Sequence, residues 1–587
     1  MSATTPRSKS RSGAELPVFN TPVPGAADRI PRTHPPYYER AAEVDAQALE
    51  AELRGCLRGE VRFDPGSRAL YATDAGNYRH VPIGVVIPKD IEDVVQAVAA
   101  ASKFGAPILA RGGGTSIAGQ CCNVALVMDM SKYVNRVLEV DRERRLARVQ
   151  PGCVLDHLRA ETAKHGLTFG PDPATHEWCT LGGMIGNDSC GVHSIMSRMA
   201  GLGSRTADNL ESLEILTYDG TRMRVGPTSE EELQKIIAGG GRRGEIYARL
   251  RSLRDEYADE IRKRFPKLPR RVSGYNLDEL LPENGFNVAR ALVGTECTCV
   301  LVTEAELKLL PNPKARSLLV LGYPDVYQAA DHVMEALQFR PIGLEGIDRS
   351  FIEDLRKKGL NLEDIALLPP GGGWLLVEFG GDSKQDSDAQ ARALMEELKK
   401  QKNAPSMRLF DDPEQERMVW EARDNGLGAT AHVPGQKENW EGWEDSAVPP
   451  EKVGAYLRDL RKLLDRYDYQ TSLYGHFGDG CVHCRMDWDL KTAEGIQKWR
   501  SFLEEAADLV VSYGGSLSGE HGDGQARGEL LPKMFGDRLV EAFREFKAIW
   551  DPRWKMNPGK VVDPYRFDEH LRYGADYNPW QPKTHFH

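Results

Sequence analysis

Residues 83–116 carry the feature that most limits the fold. Ile83-Gly-Val-Val-Ile87 is a short apolar run closed by Pro88, as a buried strand is. Asp90 can cap a helix in which Ile91, Val94, Val95, Val98 and Ala99 share one stripe, and Gly105 ends it. Pro107 to Ala110 reads as a second strand, running straight into Arg111-Gly-Gly-Gly-Thr-Ser116. A β-α-β unit that opens onto three glycines lets backbone approach a ligand closely, with N–H groups turned into one concavity. The loop lacks the lysine of a P-loop. Ile117 stands where a Rossmann fingerprint needs its third glycine.

A second loop, Thr180-Leu-Gly-Gly-Met-Ile-Gly-Asn-Asp-Ser-Cys-Gly191, adds four glycines among small polar residues. Two such loops in one domain suit the two ends of a dinucleotide. Short strands at 124–128, 137–140 and 146–149 extend an α+β domain to about Pro313. A charged helical insertion interrupts it at about 227–290. The basic block Lys263 to Arg271 within that insertion reads as a solvated helix face, or else as local attraction for an anionic substrate. A second α+β region begins near Ser317, with strands at 374–379 and 471–476. Residues 1–37 read as a disordered tail rich in Ser, Thr, Pro and Arg.

Composition excludes several classes. At 587 residues the chain has room for several domains, and a 41% hydrophobic, 28% charged mix is that of a globular protein. A net charge of −11 argues against a nucleic-acid partner. No apolar run reaches the ~18 residues of a membrane span. Ten cysteines and no secretory h-region place the chain in the cytoplasm with reduced thiols; peripheral attachment at a membrane stays open.

The chemistry lies late in the sequence, in Tyr474-Gly-His-Phe-Gly-Asp-Gly-Cys-Val-His483 and Ser518-Gly-Glu-His-Gly-Asp-Gly524. Asp-Gly between extended residues signals a two-residue hairpin turn. Centred on Asp479 and Gly480, that turn sets His476 opposite His483, so that two imidazoles can chelate one metal. Glu520 is the third candidate ligand, and His₂Glu with an open position is a catalytic zinc pattern. His521 can point elsewhere in so glycine-rich a loop, free as an acid/base group. A rival zinc pair, Cys481 and Cys484, would point to opposite strand faces and has no second C-x-x-C.

These motifs resemble the FAD-linked oxidase family of the vanillyl-alcohol oxidase/p-cresol methylhydroxylase type. Arg111 to Ser116, Pro171-Asp-Pro with Thr180 to Gly191, Gly294-Thr-Glu-Cys-Thr-Cys-Val-Leu-Val-Thr303 and Met556-Asn-Pro-Gly-Lys-Val561 match its ordered segments. Cys297 and Val300 depart from the glycines of the third. The resemblance implies an α+β fold: an FAD-binding domain at 38–313, a substrate or cap domain with an antiparallel sheet at 314–545, and a segment at 546–587 returning to the flavin. It implies FAD contacts at Arg111, Gly112, Gly113, Gly114, Thr115, Ser116, Gly119, Pro171, Thr180, Gly182, Gly183, Asn187, Ser189, Glu296, Leu301, Val302 and Asn557. No histidine lies between Ala110 and Gln120, so noncovalent FAD is expected.

The late motifs are similar to those of the metal-dependent D-2-hydroxyacid dehydrogenases, including D-2-hydroxyglutarate and D-lactate dehydrogenases. In that branch the positions of His476, His483 and Glu520 bind zinc and that of His521 is the base. Arg423, in Trp420-Glu-Ala-Arg-Asp424, resembles the arginine that holds the substrate carboxylate. A basic residue common before Asp-x-x-[LV]-Pro is absent, since Trp443 precedes Glu444 to Pro449. The expected partners are a small 2-hydroxy acid, an electron acceptor such as an iron–sulfur protein or quinone, and a second copy of the chain. The stretch to His587 is similar to the flavin half of longer chains that continue into an iron–sulfur module, and no such module is expected here. An electron-relay flavoprotein and an alkyl-transfer flavoenzyme of the same fold are the alternatives.

Overall fold

The computed structural model describes residues 43–578 apart from Asp411, without the side chains of Leu427 and Ala429. The tail read at 1–37 lies outside the described residues. Strands β1 (Glu60–Arg62), β2 (Gly84–Ile87), β3 (Ile108–Arg111) and β4 (Leu126–Asp129) form a sheet in the order β1-β2-β4-β3. β2, β4 and β3 are parallel and β1 is antiparallel. Helix α1 (Ile91–Phe104) is the crossover from β2 to β3. Asp90 caps it by accepting from the backbone N–H of Glu92 and Asp93, and Gly105 ends it with φ +64°. Its buried Val94, Ala97, Val98 and Ala101 lie on Val86, Ile108, Leu126 and Met128. The 3.6-residue spacing of the sequence is thus spent on one sheet face.

The second sheet holds β5 (Val137–Asp141), β6 (Leu146–Val149), β7 (Leu210–Leu216), β8 (Arg222–Val225) and β9 (Leu301–Lys308), in the order β5-β6-β9-β7-β8. Between its strands run α2 (Leu181–Asn187) and the long α3 (Gly241–Arg264). The seven-stranded third sheet is antiparallel throughout, in the order β13-β10-β12-β11-β15-β16-β14. Its strands are β10 (Ala315–Tyr323), β11 (Gly343–Asp348), β12 (Gly373–Gly381), β13 (Ser406–Phe410), β14 (Ser446–Ala447), β15 (Thr471–Gly475) and β16 (Cys481–Met486). Helix α4 (Pro413–Asp424) follows β13, and α5 (Leu531–Trp550) lies on α3, where Tyr257 donates to Glu545.

The chain then returns to the first sheet. Met556 bridges Ile108 in parallel, and the Asn557 N–H donates to the Ile108 carbonyl at 2.8 Å. Among the described residues, no helix is long and apolar enough to cross a membrane.

Candidate active site

The hairpin differs from the two-residue turn expected at Asp479 and Gly480. His483 pairs with Tyr474, not with His476. His476 lies beyond the end of β15, residues 477–479 form a 3₁₀ turn, and of Asp479 and Gly480 only Gly480 takes a positive φ, +81°. The reason is tertiary. The Asp479 carboxylate is drawn to Arg270 and Arg198 at 3.1 and 3.0 Å, and the Phe477 ring lies so close to Gly346 that a Cβ there would come within 2.2 Å of it. The loop curls to meet both. Even so, the rings of His476 and His483 end 5.0 Å apart and almost perpendicular.

One carboxylate oxygen is the focus of the site. Glu520 Oε1 lies 3.1 Å from His476 Nε2, 3.1 Å from His483 Nε2 and 3.4 Å from His521 Nε2. Its other oxygen accepts from Arg270 Nη1 at 2.8 Å. Arg270 is fully buried and also donates to Asp479 and to the Gly191 carbonyl. Asp445 holds the loop: its two oxygens accept the backbone N–H of Glu520 and of His521 at 3.0 and 2.9 Å.

Behind His476, its Nδ1 lies 2.7 Å from Glu345 Oε1, and Glu345 Oε2 accepts from Nε and Nη2 of Arg423 at 2.8 and 2.5 Å. Helix α4, which carries Arg423, is fixed through Trp420, whose indole donates to Glu378 at 3.0 Å. The second Glu378 oxygen meets His193 at 2.8 Å and Arg316 at 3.0 Å, and the other ring nitrogen of His193 meets Asp172.

The electrostatics divide the three imidazoles. Burial pulls His483 down to about 4, so it is neutral and able to ligate. Burial and Arg270 work against charge on His476, yet the Glu345 and Glu520 carboxylates raise it above the ordinary imidazole value. For His521 burial is likewise outweighed: Asp445, with Glu444 and Glu520 beside the ring, lifts it to about 10. Burial opposes ionisation of Glu520, but His476 and Arg270 hold it well below the carboxylate range.

The donor set suits a divalent cation: two buried imidazole nitrogens converge on one carboxylate oxygen. The ligand atoms that all lie within 4.8 Å of one another belong to Asp445, His483, Glu520 and His521. That group differs from the expected His476, His483 and Glu520. Because backbone N–H groups already occupy both Asp445 oxygens, we assign Asp445 to holding the loop.

A cleft of about 1040 Å³ brings the expected residues together. Gly112, Gly113, Gly114, Thr115, Ser116, Thr180, Gly183, Asn187 and Ser189 line one side, and Arg423, Tyr474, His476, His483, Glu520 and His521 the other. A second cavity of about 680 Å³ is lined by Arg111, Gly182, Glu296, Leu301 and Val302. The two share Gly112, Cys121, Thr180, Gly183 and Asn187, so one elongated ligand can occupy both.

Three expected contacts stand outside these walls. Gly119 lies against the Tyr78 ring, Pro171 is buried behind Pro173, and the Asn557 amide donates instead to the Gln120 and Glu296 carbonyls at 3.0 and 2.8 Å. Glu296 borders the second cavity, but its carboxylate is spent on the backbone N–H of Asp523 and Gly524 at 2.7 and 2.9 Å. Burial and the nearby Asp523 push it up to about 8. It thereby clasps the Glu520–His521 loop to the first half of the chain.

The glycines also sort by what they approach. A Cβ at Gly113 would come within 2.3 Å of the Trp178 carbonyl, so that glycine serves a backbone crossing before any ligand. A Cβ at Gly183 meets only Thr180 Oγ1, at 3.4 Å, and Gly183 borders both cavities. Gly183→Val therefore folds and purifies without its yellow cofactor. FAD absorbance per chain, compared with wild type, is the check, and near-stoichiometric FAD in the folded variant contradicts the assignment.

Arg270, Glu345, Asp445 and His193 escaped the sequence reading. Arg270 belongs to the basic block read as a solvated face. In fact α3 stops at Arg264, Arg262 and Arg264 pair with Glu283 and Glu260, and Arg270 turns inward. Glu345 did leave a signal: it is a charged residue between Leu344 and Gly346 in the middle of the buried strand Gly343–Asp348.

Residues 82–226 match the family model of an FAD binding domain, and residues 312–561 match that of the C-terminal domain of FAD linked oxidases. An FAD binding domain and an FAD-linked-oxidase C-terminal domain thus make up most of the chain. A D-2-hydroxyglutarate dehydrogenase of Pseudomonas putida is 32% identical over 88% of this flavoprotein chain and 52% of its own. The glycolate oxidase subunit GlcD of Bacillus subtilis is 27% identical, over 86% of this chain and 95% of its own. The chain spans about half the length of the curated D-2-hydroxyglutarate dehydrogenases it matches. A solved structure of p-cresol methylhydroxylase superposes with a TM-score of 0.58 at 13% identity, covering 88% of this chain and 96% of that one. The chain thus has the α+β fold of the p-cresol methylhydroxylase type.

Proposed function

We propose that the chain oxidises a D-2-hydroxy acid, of the D-2-hydroxyglutarate or D-lactate type, to the 2-oxo acid, using noncovalent FAD and a zinc-type cation. The observation that carries the reading is the convergence of His476 and His483 on Glu520 Oε1, at 3.1 Å each, in the wall facing the glycine loops. The names of the relatives support the substrate class. In this reading residues 38–313 hold the flavin, 314–545 carry the cation and substrate groups, and 546–587 close on the flavin.

His476, His483 and Glu520 would hold the cation. Arg111 to Ser116, Thr180, Gly182, Gly183 and Asn187 would hold the FAD. Bound together, these groups supply a hydride acceptor for the C2 hydrogen and a Lewis acid that lowers the pKa of the C2 hydroxyl. Arg423 grips the substrate carboxylate with the guanidinium edge that Glu345 leaves free. His521, lining the cleft, takes the hydroxyl proton. In the cation-free protein the carboxylates around it keep His521 protonated to about pH 10. A positive charge at Glu520 opposes them and brings the ring toward the range of a working base. Reoxidation falls to a separate acceptor, an iron–sulfur protein or a quinone.

The test is anaerobic bleaching of the flavin by matched D- and L-2-hydroxy acids. Bleaching by a D-acid, with a 2-oxo acid as product, is the expected result. A flavin indifferent to every D-acid, or bleached faster by the L-enantiomers, refutes the reading.

A further inference from the structure

Glu345 lies in the middle of β11 with no exposed surface, between the buried Leu344 and Gly346. Its two oxygens serve two different groups. Oε1 lies 2.7 Å from His476 Nδ1, while Oε2 receives Nε and Nη2 of Arg423. An ionised carboxylate only accepts hydrogen bonds, so the proton of His476 sits on Nδ1. Nε2 faces the second carboxylate, Glu520 Oε1, 3.1 Å away, and with Nδ1 held as the donor it is the Nε2 proton that an incoming cation would displace, freeing that nitrogen to ligate. On the other side, Nε and Nη2 are taken by Glu345, the guanidinium carbon lies 5.4 Å from the centre of the Tyr474 ring, and Arg423 lines the cleft.

We propose that Glu345 is a positioning residue for both halves of the site: one carboxylate sets the metal-ligating tautomer of His476 and the placement of Arg423. The inference rests on the reading given under the proposed function, and nothing in the family resemblance singled the residue out. It explains why a charge stands in the interior of a buried strand.

The proposal has a consequence peculiar to an amide. Glu345→Gln keeps the shape but offers one acceptor oxygen and one donor NH₂ group. If the oxygen faces His476, the NH₂ group opposes the Arg423 donors and the guanidinium must shift. If the oxygen faces Arg423, the NH₂ group donates to His476 Nδ1, the ring proton moves to Nε2, and that nitrogen cannot ligate. One function is lost in either orientation.

The experiment uses FAD-loaded full chain, wild type and Glu345→Gln. Zinc affinity is read by competition with a chelating dye, and 2-oxoglutarate affinity at saturating zinc by the flavin difference spectrum. At least one affinity is expected to fall tenfold or more, with a ceiling of about 100-fold for zinc, while FAD content and the melting temperature hold. If Glu345→Gln does not fold, Glu345→Asp replaces it, since the shortened acid keeps the charge but cannot span His476 and Arg423 together. A folded variant with both affinities within twofold of wild type overturns the proposal. Failure of the underlying reading looks different: wild type itself then takes up no zinc that depends on His476, and the proposal falls with it.

Discussion

Replacing His521 with alanine leaves zinc, FAD and substrate bound and slows flavin reduction by about 10²–10⁴-fold, the usual size for a positioned acid/base group. The ring is expendable for structure because the loop is held by its backbone: the His521 N–H donates to Asp445, and its carbonyl accepts from the Gln120 amide at 2.7 Å. What disappears is a side chain that stacks on His483 at 5.2 Å and stands 3.4 Å from Glu520 Oε1. Stopped-flow reduction under anaerobic conditions measures the loss. The wild-type rate should climb with pH as His521 gives up its proton and then level off, and the alanine variant should lack that climb. Burial already favours the neutral ring, and a cation at Glu520 works in the same direction, so the climb lies below the value of about 10 found without it. Should the variant release zinc while Glu520→Ala retains it, the two roles are reversed.

Glu520→Ala should lose zinc and activity together and should also weaken the fold. Arg270 has no exposed surface, and the variant takes away one of its two carboxylate partners, leaving Asp479 alone to balance the guanidinium. Breaking a buried ion pair from one side destabilises by roughly 3–5 kcal/mol, and the surviving Asp479 contact puts the expectation near the lower figure, about 3 kcal/mol. Elemental analysis reads the metal, and denaturant unfolding of the cation-free proteins reads the stability. A variant as stable as wild type would mean that Arg270 finds another partner. The double variant His476→Ala, His483→Ala separates the two effects, because it removes ligands while the Arg270–Glu520 pair stays intact.

How much of this was legible depended on how far apart the partners lie in sequence. The β2-α1-β3 unit was plain because helix capping, the apolar stripe and the closing glycine are all local to residues 83–116. The glycine loops and the histidine-rich segments were also legible, since each is contiguous. The hairpin failed at its turn because Asp479 answers to Arg270, 209 residues away, and not to its neighbours. Likewise the partners of His476 and Glu520 are Glu345 and Arg270, at separations of 131 and 250 residues. A basic block beside a helix and one acid in a strand are common, and nothing local marks either as part of a site. Gly113 was recognisable as special, but that its neighbour is the Trp178 carbonyl could not be known from residue types.

The return of Met556 and Asn557 to the edge of β3 also sets the order of events at the ribosome. The first sheet is complete by Asp129, yet the Asn557 amide that braces the carbonyls of Gln120 and Glu296 is made 437 residues after Gln120. Until that amide is made, the two carbonyls lack this brace. A chain cut before Asn557 therefore lacks the clamp that ties the loops of Gln120 and Glu296 together.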